Sequence, residues 1–291
     1  MKSKLWLMLI PILASCGNSK KSDAYGNFEA VEVLVSAEAQ GKLLDFGIEE
    51  GQKLTKNQKA GYIDTFSLYL KKQQLKAQIE SSSARSAQVT AQVAVQDEQK
   101  RTYITEQKRV SQLVASNAVP TKQLDDIQSQ LSVIESQIAA TKTQTHAIWG
   151  EIKALRFQIA QIDDQIARSL IISPVGGTVL ETFAEAGEIV IPGKVLYKIA
   201  NLEQLILRVY VSGAQLPHVK LGHKVKVYID ETEHTNKQLS GTVTWISQQA
   251  EFTPKIIQTK EERVNMVYAL KIIVQNDGSL KIGMPGEVNF E

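Results

Sequence analysis

Residues able to carry chemistry are few and scattered in this sequence of 291 amino acids. There is one cysteine, Cys16, so neither a disulfide framework nor a CxxC metal or redox pair can form within the chain. Four histidines, His146, His218, His223 and His234, stand at spacings that match no ligand motif. The acidic pairs Asp125-Asp126 and Asp163-Asp164 fall where the pattern is helical, and charge there means a wet helix surface rather than a general acid–base cleft. No phosphate loop, GxSxG or HExxH occurs. The sequence offers nothing for an enzyme, a bound cofactor or a metal centre. The chemistry left to it is attachment and docking.

Attachment is written at the start of the chain. Lys2 and Lys4 form a short cationic head, Leu5 to Leu13 is apolar with one proline, and Ala14-Ser15 places small residues before Cys16. This is the pattern of a secretory signal. Its apolar run of about ten residues is far short of the roughly 20 a spanning helix needs. Leu13-Ala14-Ser15-Cys16 resembles the lipobox of bacterial lipoproteins, which implies that Cys16 is the lipidated first residue of the mature protein. Removal of Lys2 and Lys4 from the 33 basic residues brings them level with the 31 acidic ones. A near-neutral mature chain argues against nucleic acid as a partner. Residues 16–28 are polar, small and aperiodic, and are expected to form a flexible tether.

The elements that must position any docking residue come from an internal repeat. Gly41-Lys-Leu-Leu-Asp-Phe-Gly-Ile-Glu-Glu-Gly51 and Gly177-Thr-Val-Leu-Glu-Thr-Phe-Ala-Glu-Ala-Gly187 share their glycine spacing, with Leu43 matching Val179, Leu44 matching Leu180 and Glu49 matching Glu185. Gln52 then falls opposite Glu188, and the turn at Asn57-Gln58 opposite Gly193-Lys194. Turns of this kind need the left-handed backbone that glycine, and less readily asparagine, adopts cheaply. The two copies resemble the halves of a lipoyl or biotinyl carrier domain. The tight hairpin that would present a modified lysine is replaced by residues 66–169, so covalent cofactor carriage is not expected.

The insert is patterned as a coiled-coil hairpin. Leu124, Ile127, Leu131, Ile134, Ile138, Thr141, Thr145, Ile148, Ile152, Leu155, Ile159, Ile162, Ile166 and Ser169 alternate in steps of three and four without a break. The first arm has a weaker seam through Leu68, Leu75, Ile79, Val89, Val93, Tyr103, Val110 and Val114, interrupted by Ser82, Ser86, Gln96, Lys100 and Gln107. Asn117-Ala118-Val119-Pro120-Thr121 is the reversal, with Thr121 or a neighbour expected to cap the return helix. After residue 202 the pattern changes to period two, in Leu205 to Val211, Val225 to Ile229, Gly241 to Ile246, Tyr268 to Val274 and Glu287 to Phe290, which predicts a small closed barrel.

In this order, Val35 to Leu43 (VSAEAQGKL), Ile172 to Val179 (ISPVGGTV), Glu185 to Gly193 (EAGEIVIPG) and Leu202 to Val211 (LEQLILRVYV) resemble the HlyD-type periplasmic adaptors, or membrane fusion proteins, of tripartite efflux and type I secretion systems. The resemblance covers essentially the whole mature chain. It implies an elongated α+β fold: a split lipoyl-like β sandwich with an inserted long antiparallel helical hairpin, then a β barrel. The corresponding domains are a leader at 1–15, the lipidated tether at 16–28, the first half at 29–65, the hairpin at 66–169 with its tip near 115–121, the second half at 170–202 and the barrel at 203–291.

The resemblance also implies function. Adaptors that dock on a TolC-like outer-membrane channel carry an arginine, a leucine four residues on and a serine near the tip. Arg109 and Leu113 match the first two, while Pro120 stands where the serine is usual and Thr121 comes one place later. The segment Phe252 to Arg263 resembles a loop of adaptors that serve ABC-type exporters. The implied protein is a periplasmic lipoprotein in a Gram-negative-type envelope. It forms a homo-oligomer (six copies by resemblance) between an inner-membrane transporter, ABC rather than RND, and an outer-membrane channel. An RND-pump adaptor, a structural coiled-coil lipoprotein and a biotin- or lipoate-carrier subunit are the competing readings.

Overall fold

A computed structural model describes residues 22–232, 235–252 and 266–290. In chain order the elements are β1 (Ala24–Glu29), β2 (Glu32–Ser36), β3 (Gly41–Phe46), β4 (Lys53–Leu54), β5 (Lys59–Ile63), α1 (Phe66–Ala115), α2 (Thr121–Arg168), β6 (Leu170–Ile172), β7 (Gly177–Thr182), β8 (Ile189–Val190), β9 (Val195–Ala200), β10 (Gln204–Ser212), β11 (Lys224–Asp230), β12 (Asn236–Ile246), β13 (Glu251–Phe252), β14 (Met266–Gln275) and β15 (Pro285–Asn289). Two compact units result. One is drawn from Leu34–Pro174 and Val179–Lys198, the other from the described residues among 22–33, Val175–Thr178 and 199–290.

In the first unit the antiparallel hairpin arises from the apolar stripe. Every predicted seam residue of α2, from Leu124 to Ile166, is buried or partly buried, and every other residue of that helix is exposed. Strict alternation of three and four keeps one narrow stripe against the partner helix while the rest of the surface stays wet. On α1 the serine, glutamine and lysine positions expected to interrupt the seam belong to it. Ser82 and Ser86 are buried, and Gln96, Lys100 and Gln107 are partly buried. The small hydroxyl of Ser82 is satisfied in place: it donates to Glu151 Oε1 at 3.2 Å and accepts from Arg85 Nη2 at 2.9 Å.

Three ion pairs cross between the helices: Lys72–Asp163 at 2.5 Å, Arg85–Glu151 at 2.8 Å and Lys100–Glu135 at 2.8 Å. Partly exposed pairs of this kind are each worth about 0.2–1 kcal/mol. Their value is register, since a slip of one heptad would break all three at once.

The sandwich is assembled by exchange between the two repeats. One four-stranded sheet has the order β2-β9-β7-β4 and the other β6-β5-β3-β8, so each takes its short fourth strand from the other half of the repeat. Residues matched in the sequence make matched bonds. Leu43 N–H donates to the Glu188 carbonyl at 2.8 Å, and Val179 N–H donates to the Gln52 carbonyl at 2.9 Å. At the paired turns, Asn57 (φ 65°) and Gly193 (φ 89°) both take the left-handed conformation. Phe46 of β3 and Tyr197 of β9, from opposite sheets, bring their ring centroids to 6.2 Å. The hairpin springs from one hydrogen-bonded pair, because β5 runs into α1 and α2 runs into β6, its antiparallel neighbour.

The second unit is a closed barrel. Its seven-stranded sheet has the order β10-β1-β15-β11-β12-β14-β13 and is shut by an additional β10–β14 pairing. Phe28, Leu207, Val227, Ile272 and Val288 lie in its core, each wholly inaccessible. One expectation is corrected here. The tether predicted for 16–28 does not extend that far, since Ala24–Glu29 is β1, inserted between β10 and β15. Its period-two signal is hidden by Gly26, where an added Cβ would stand 1.7 Å from the Arg208 carbonyl oxygen. Close backbone approach demands glycine at that point and removes the side chain that would have completed the pattern. The barrel thus draws on both ends of the chain.

Candidate functional site

The tip of the hairpin is set by how α1 is made to stop. Its final carbonyls are satisfied by a Schellman arrangement: Asn117 N–H donates to Val114 O at 2.9 Å, and Ala118 N–H donates to Leu113 O at 2.9 Å. Asn117 sits at φ 57°, the left-handed turn for which asparagine is the best substitute for glycine. Ser116 Oγ adds a 2.9 Å bond to the same Leu113 carbonyl. Pro120, extended at φ −65° and ψ 148°, then launches α2. Thr121 is the first residue of that helix and gives no side-chain cap, contrary to the expectation, because the fixed φ of Pro120 sets the entry geometry.

Arg109 and Leu113 lie one helical turn apart on α1, outside the seam positions Gln107, Val110 and Val114. The Arg109 side chain is 68% exposed and Leu113 is 37% exposed. Glu106 engages the guanidinium through both Nε, at 2.9 Å, and Nη2. The bond to Arg109 holds the Glu106 carboxyl below its ordinary value, and the same bond raises Arg109 above its own. The ion pair directs the arginine along the helix toward Glu106. The guanidinium keeps donor capacity on the remaining face of its fork, while Leu113 offers an apolar knob beside it.

Pro120 and Thr121 are exposed on the far side of the turn from Arg109, and the residue that shapes the tip is Asn117, which the docking expectation did not include. Its position just after a helix-length seam was the available signal. Cys16 and most of Phe252 to Arg263 lie outside the described residues. Asp163 and Asp164 are both in ion pairs, with Lys72 and Arg168. Among the described residues no cluster of His, Cys, Asp or Glu could hold a metal ion, and no helix is long and apolar enough to cross a membrane.

An arrangement of paired β halves, inserted hairpin and closed barrel defines the fold of the membrane fusion proteins, as the resemblance in the sequence implied. Among solved structures, MacA from Actinobacillus actinomycetemcomitans aligns with a TM-score of 0.55 at 20% identity, covering 91% of this chain and 76% of that one. The membrane fusion protein Spr0693 from Streptococcus pneumoniae aligns at 0.50 and 17% identity, covering 92% and 97%. No family model matches the chain. Curated relatives include a UPF0194 membrane protein of Yersinia pseudotuberculosis, 26% identical over 300 residues and spanning 94% of this chain and 90% of that protein. Another, from Acidithiobacillus ferridurans, is 27% identical over 295 residues.

Proposed function

We propose that this chain is a periplasmic adaptor of a tripartite efflux or secretion system, joining an inner-membrane transporter to a TolC-like outer-membrane channel. The observation that carries the reading is the hairpin itself. A helix of 50 residues reaches about 75 Å at 1.5 Å per residue, and it ends in a rigid turn with a leucine and an oriented arginine facing outward. So long a projection from a small sandwich suits reach better than core building. In this reading Cys16 carries an acyl anchor, copies of the chain form a ring around a conduit, and Arg109 and Leu113 meet the channel. Pro120 and Thr121 border that contact. The transporter is of the ABC type, which supplies the energy, and the adaptor passes on its conformational state mechanically.

The test is capture from the envelope. A tagged full-length chain, crosslinked in cells and purified, is expected to bring down one transporter and one outer-membrane channel. An ATPase with its permease among the captured proteins supports the ABC assignment, and a single very large transporter replaces it with the RND one. Capture of neither leaves a structural lipoprotein, and an intact mass carrying biotin or lipoate would make the chain a carrier subunit.

A further inference from the structure

The chain that precedes the barrel determines which end of it lies nearest to Cys16. Asp23 N–H donates to Val288 O at 2.9 Å, and Ala24 opens β1 opposite Val288 of β15. Cys16 comes seven residues before Asp23, a reach of about 25 Å at most. β10, nine residues long, runs about 30 Å, so this stretch is shorter than the barrel. The strand registers bring the connection between β10 and β11, residues 213–223, to the same end: Tyr25 stands opposite Tyr210 of β10, and Lys226 of β11 stands opposite Asn289 of β15. That connection finishes in a tight turn. His223 N–H donates to Lys220 O at 3.2 Å and Gly222 takes φ 80°. Two further bonds pin the turn to β12, from Gly222 N–H to Val243 O at 2.8 Å and from Val243 N–H to His223 O at 2.9 Å. Leu221 is left at its apex, 66% exposed. At the same end Tyr25 and Met266, the first residue of β14, are 52% and 53% exposed.

We infer that this end of the barrel rests on an anionic phospholipid surface, with Leu221 entering the headgroup layer and Lys220, Lys224 and Lys226 meeting lipid phosphates. A lone exposed leucine needs no explanation. Its surroundings select the bilayer as what covers it. The first argument is reach. An acyl chain on Cys16 would hold the Asp23 end within about 25 Å of a membrane, and the turn that displays Leu221 is at that end. The second is charge. Lys220, Lys224 and Lys226 are all exposed. The carboxylates described near them are engaged: Asp23 accepts from Phe290 N–H at 2.9 Å, Glu287 accepts from Ser22 Oγ at 2.6 Å and Glu251 pairs with Arg208 at 2.9 Å. The opposite end of the barrel has the reverse balance, with Glu203, Asp230, Glu231 and Asp277 exposed against Lys237 and Lys281. A barrel polarised in this way turns its basic end to lipid phosphate, where each lysine strengthens binding about fivefold. The third is rigidity. A turn bonded to β12 presents the leucine at no cost in ordering, the condition under which a small apolar contact adds to electrostatic attraction.

The inference rests on the adaptor reading for the anchor at Cys16, and its test separates the two. The chain from Gly17 onward contains every described residue and carries no acyl group. It is mixed with vesicles of phosphatidylcholine, with or without phosphatidylglycerol, and the bound fraction is measured by flotation. Binding to the anionic vesicles should be at least tenfold tighter than to the neutral ones and should weaken as salt is raised. Leu221→Asp, and separately Lys220→Glu with Lys224→Glu, should each weaken it at least tenfold. Lys281→Glu makes the same charge change at the other end of the barrel and should leave it unaltered. Circular dichroism of each variant shows that the fold is kept. Equal binding to both kinds of vesicle, or Leu221→Asp bound as tightly as wild type, overturns the inference while leaving the adaptor reading to its own capture experiment. Loss of transporter capture by full-length Leu221→Asp with vesicle binding unchanged makes the turn a protein contact and overturns it as well. Anionic vesicle binding that depends on Leu221, from a chain that captures neither transporter nor channel, upholds the lipid contact while the adaptor reading fails.

Discussion

Replacing Leu113 by aspartate is expected to abolish capture of the outer-membrane channel while leaving the hairpin folded. Leu113 is exposed, so the change removes little buried surface, and surface substitutions of this kind cost about 0.5 kcal/mol or less. Its carbonyl, which accepts from Ala118 N–H, belongs to the backbone and is unaffected. In a docked complex the same side chain becomes an anchor. Truncating such an anchor costs about 2 kcal/mol or more, roughly thirtyfold in affinity, and burying an uncompensated carboxylate costs more still. Arg109→Ala should have a smaller effect, because its guanidinium is already held by Glu106 and part of its bonding capacity is spent within the helix. Gln112→Asp, on a neighbouring exposed position, should leave capture unchanged. Thermal unfolding monitored by circular dichroism, run beside the capture assay, separates docking from folding.

A large loss of stability is expected from substitution at Gly61. It lies in β5, between β3 and β6, at the foot of the hairpin. A Cβ there would stand 2.2 Å from the Asp45 carbonyl oxygen and 3.1 Å from Phe46 Cδ2. The nearer atom is backbone and cannot swing aside. Gly61→Val must push β5 away from β3, breaking the ladder that holds both hairpin arms, and should cost about 3 kcal/mol or more. Gly150 provides the opposite case in the same protein. It stands within α2 with nothing within 4 Å of an added Cβ, so Gly150→Ala should gain about 1 kcal/mol from helix propensity alone. Equilibrium unfolding of the two variants against wild type measures both. A Gly61→Val protein as stable as its parent would mean that the strand packing at Asp45 is wrong.

How much of this was legible in the sequence depended on whether one periodicity sufficed. The α2 seam was readable residue by residue because Ile and Leu occupy nearly all its positions. On α1 the same stripe runs through Ser82, Ser86, Gln96, Lys100 and Gln107, and hydrophobicity alone treats those as gaps. For two of them the partner helix supplies the reason: Glu135 reaches Lys100, and Glu151 reaches Ser82 and its neighbour Arg85. The matched turns at Asn57 and Gly193 were foreseen because left-handed backbone restricts residue choice locally. β1 was not, since its glycine answers to a strand far away in sequence. At the tip, the i, i+4 placement of Arg109 and Leu113 was legible. The Glu106 clamp and the part played by Asn117 emerge only once the helix end is built.

The measurement that bears most directly on the tip as a docking site is photocrosslinking in living cells, with a photoreactive amino acid in place of Leu113 or, separately, of Phe157. Phe157 is 63% exposed and about 54 Å down α2 from Thr121, so it controls for exposure without sharing the location. The adaptor account predicts one discrete adduct with an outer-membrane protein from position 113 and none from position 157. Adducts at 113 only with other copies of the chain, or the same outer-membrane adduct from both positions, would contradict it.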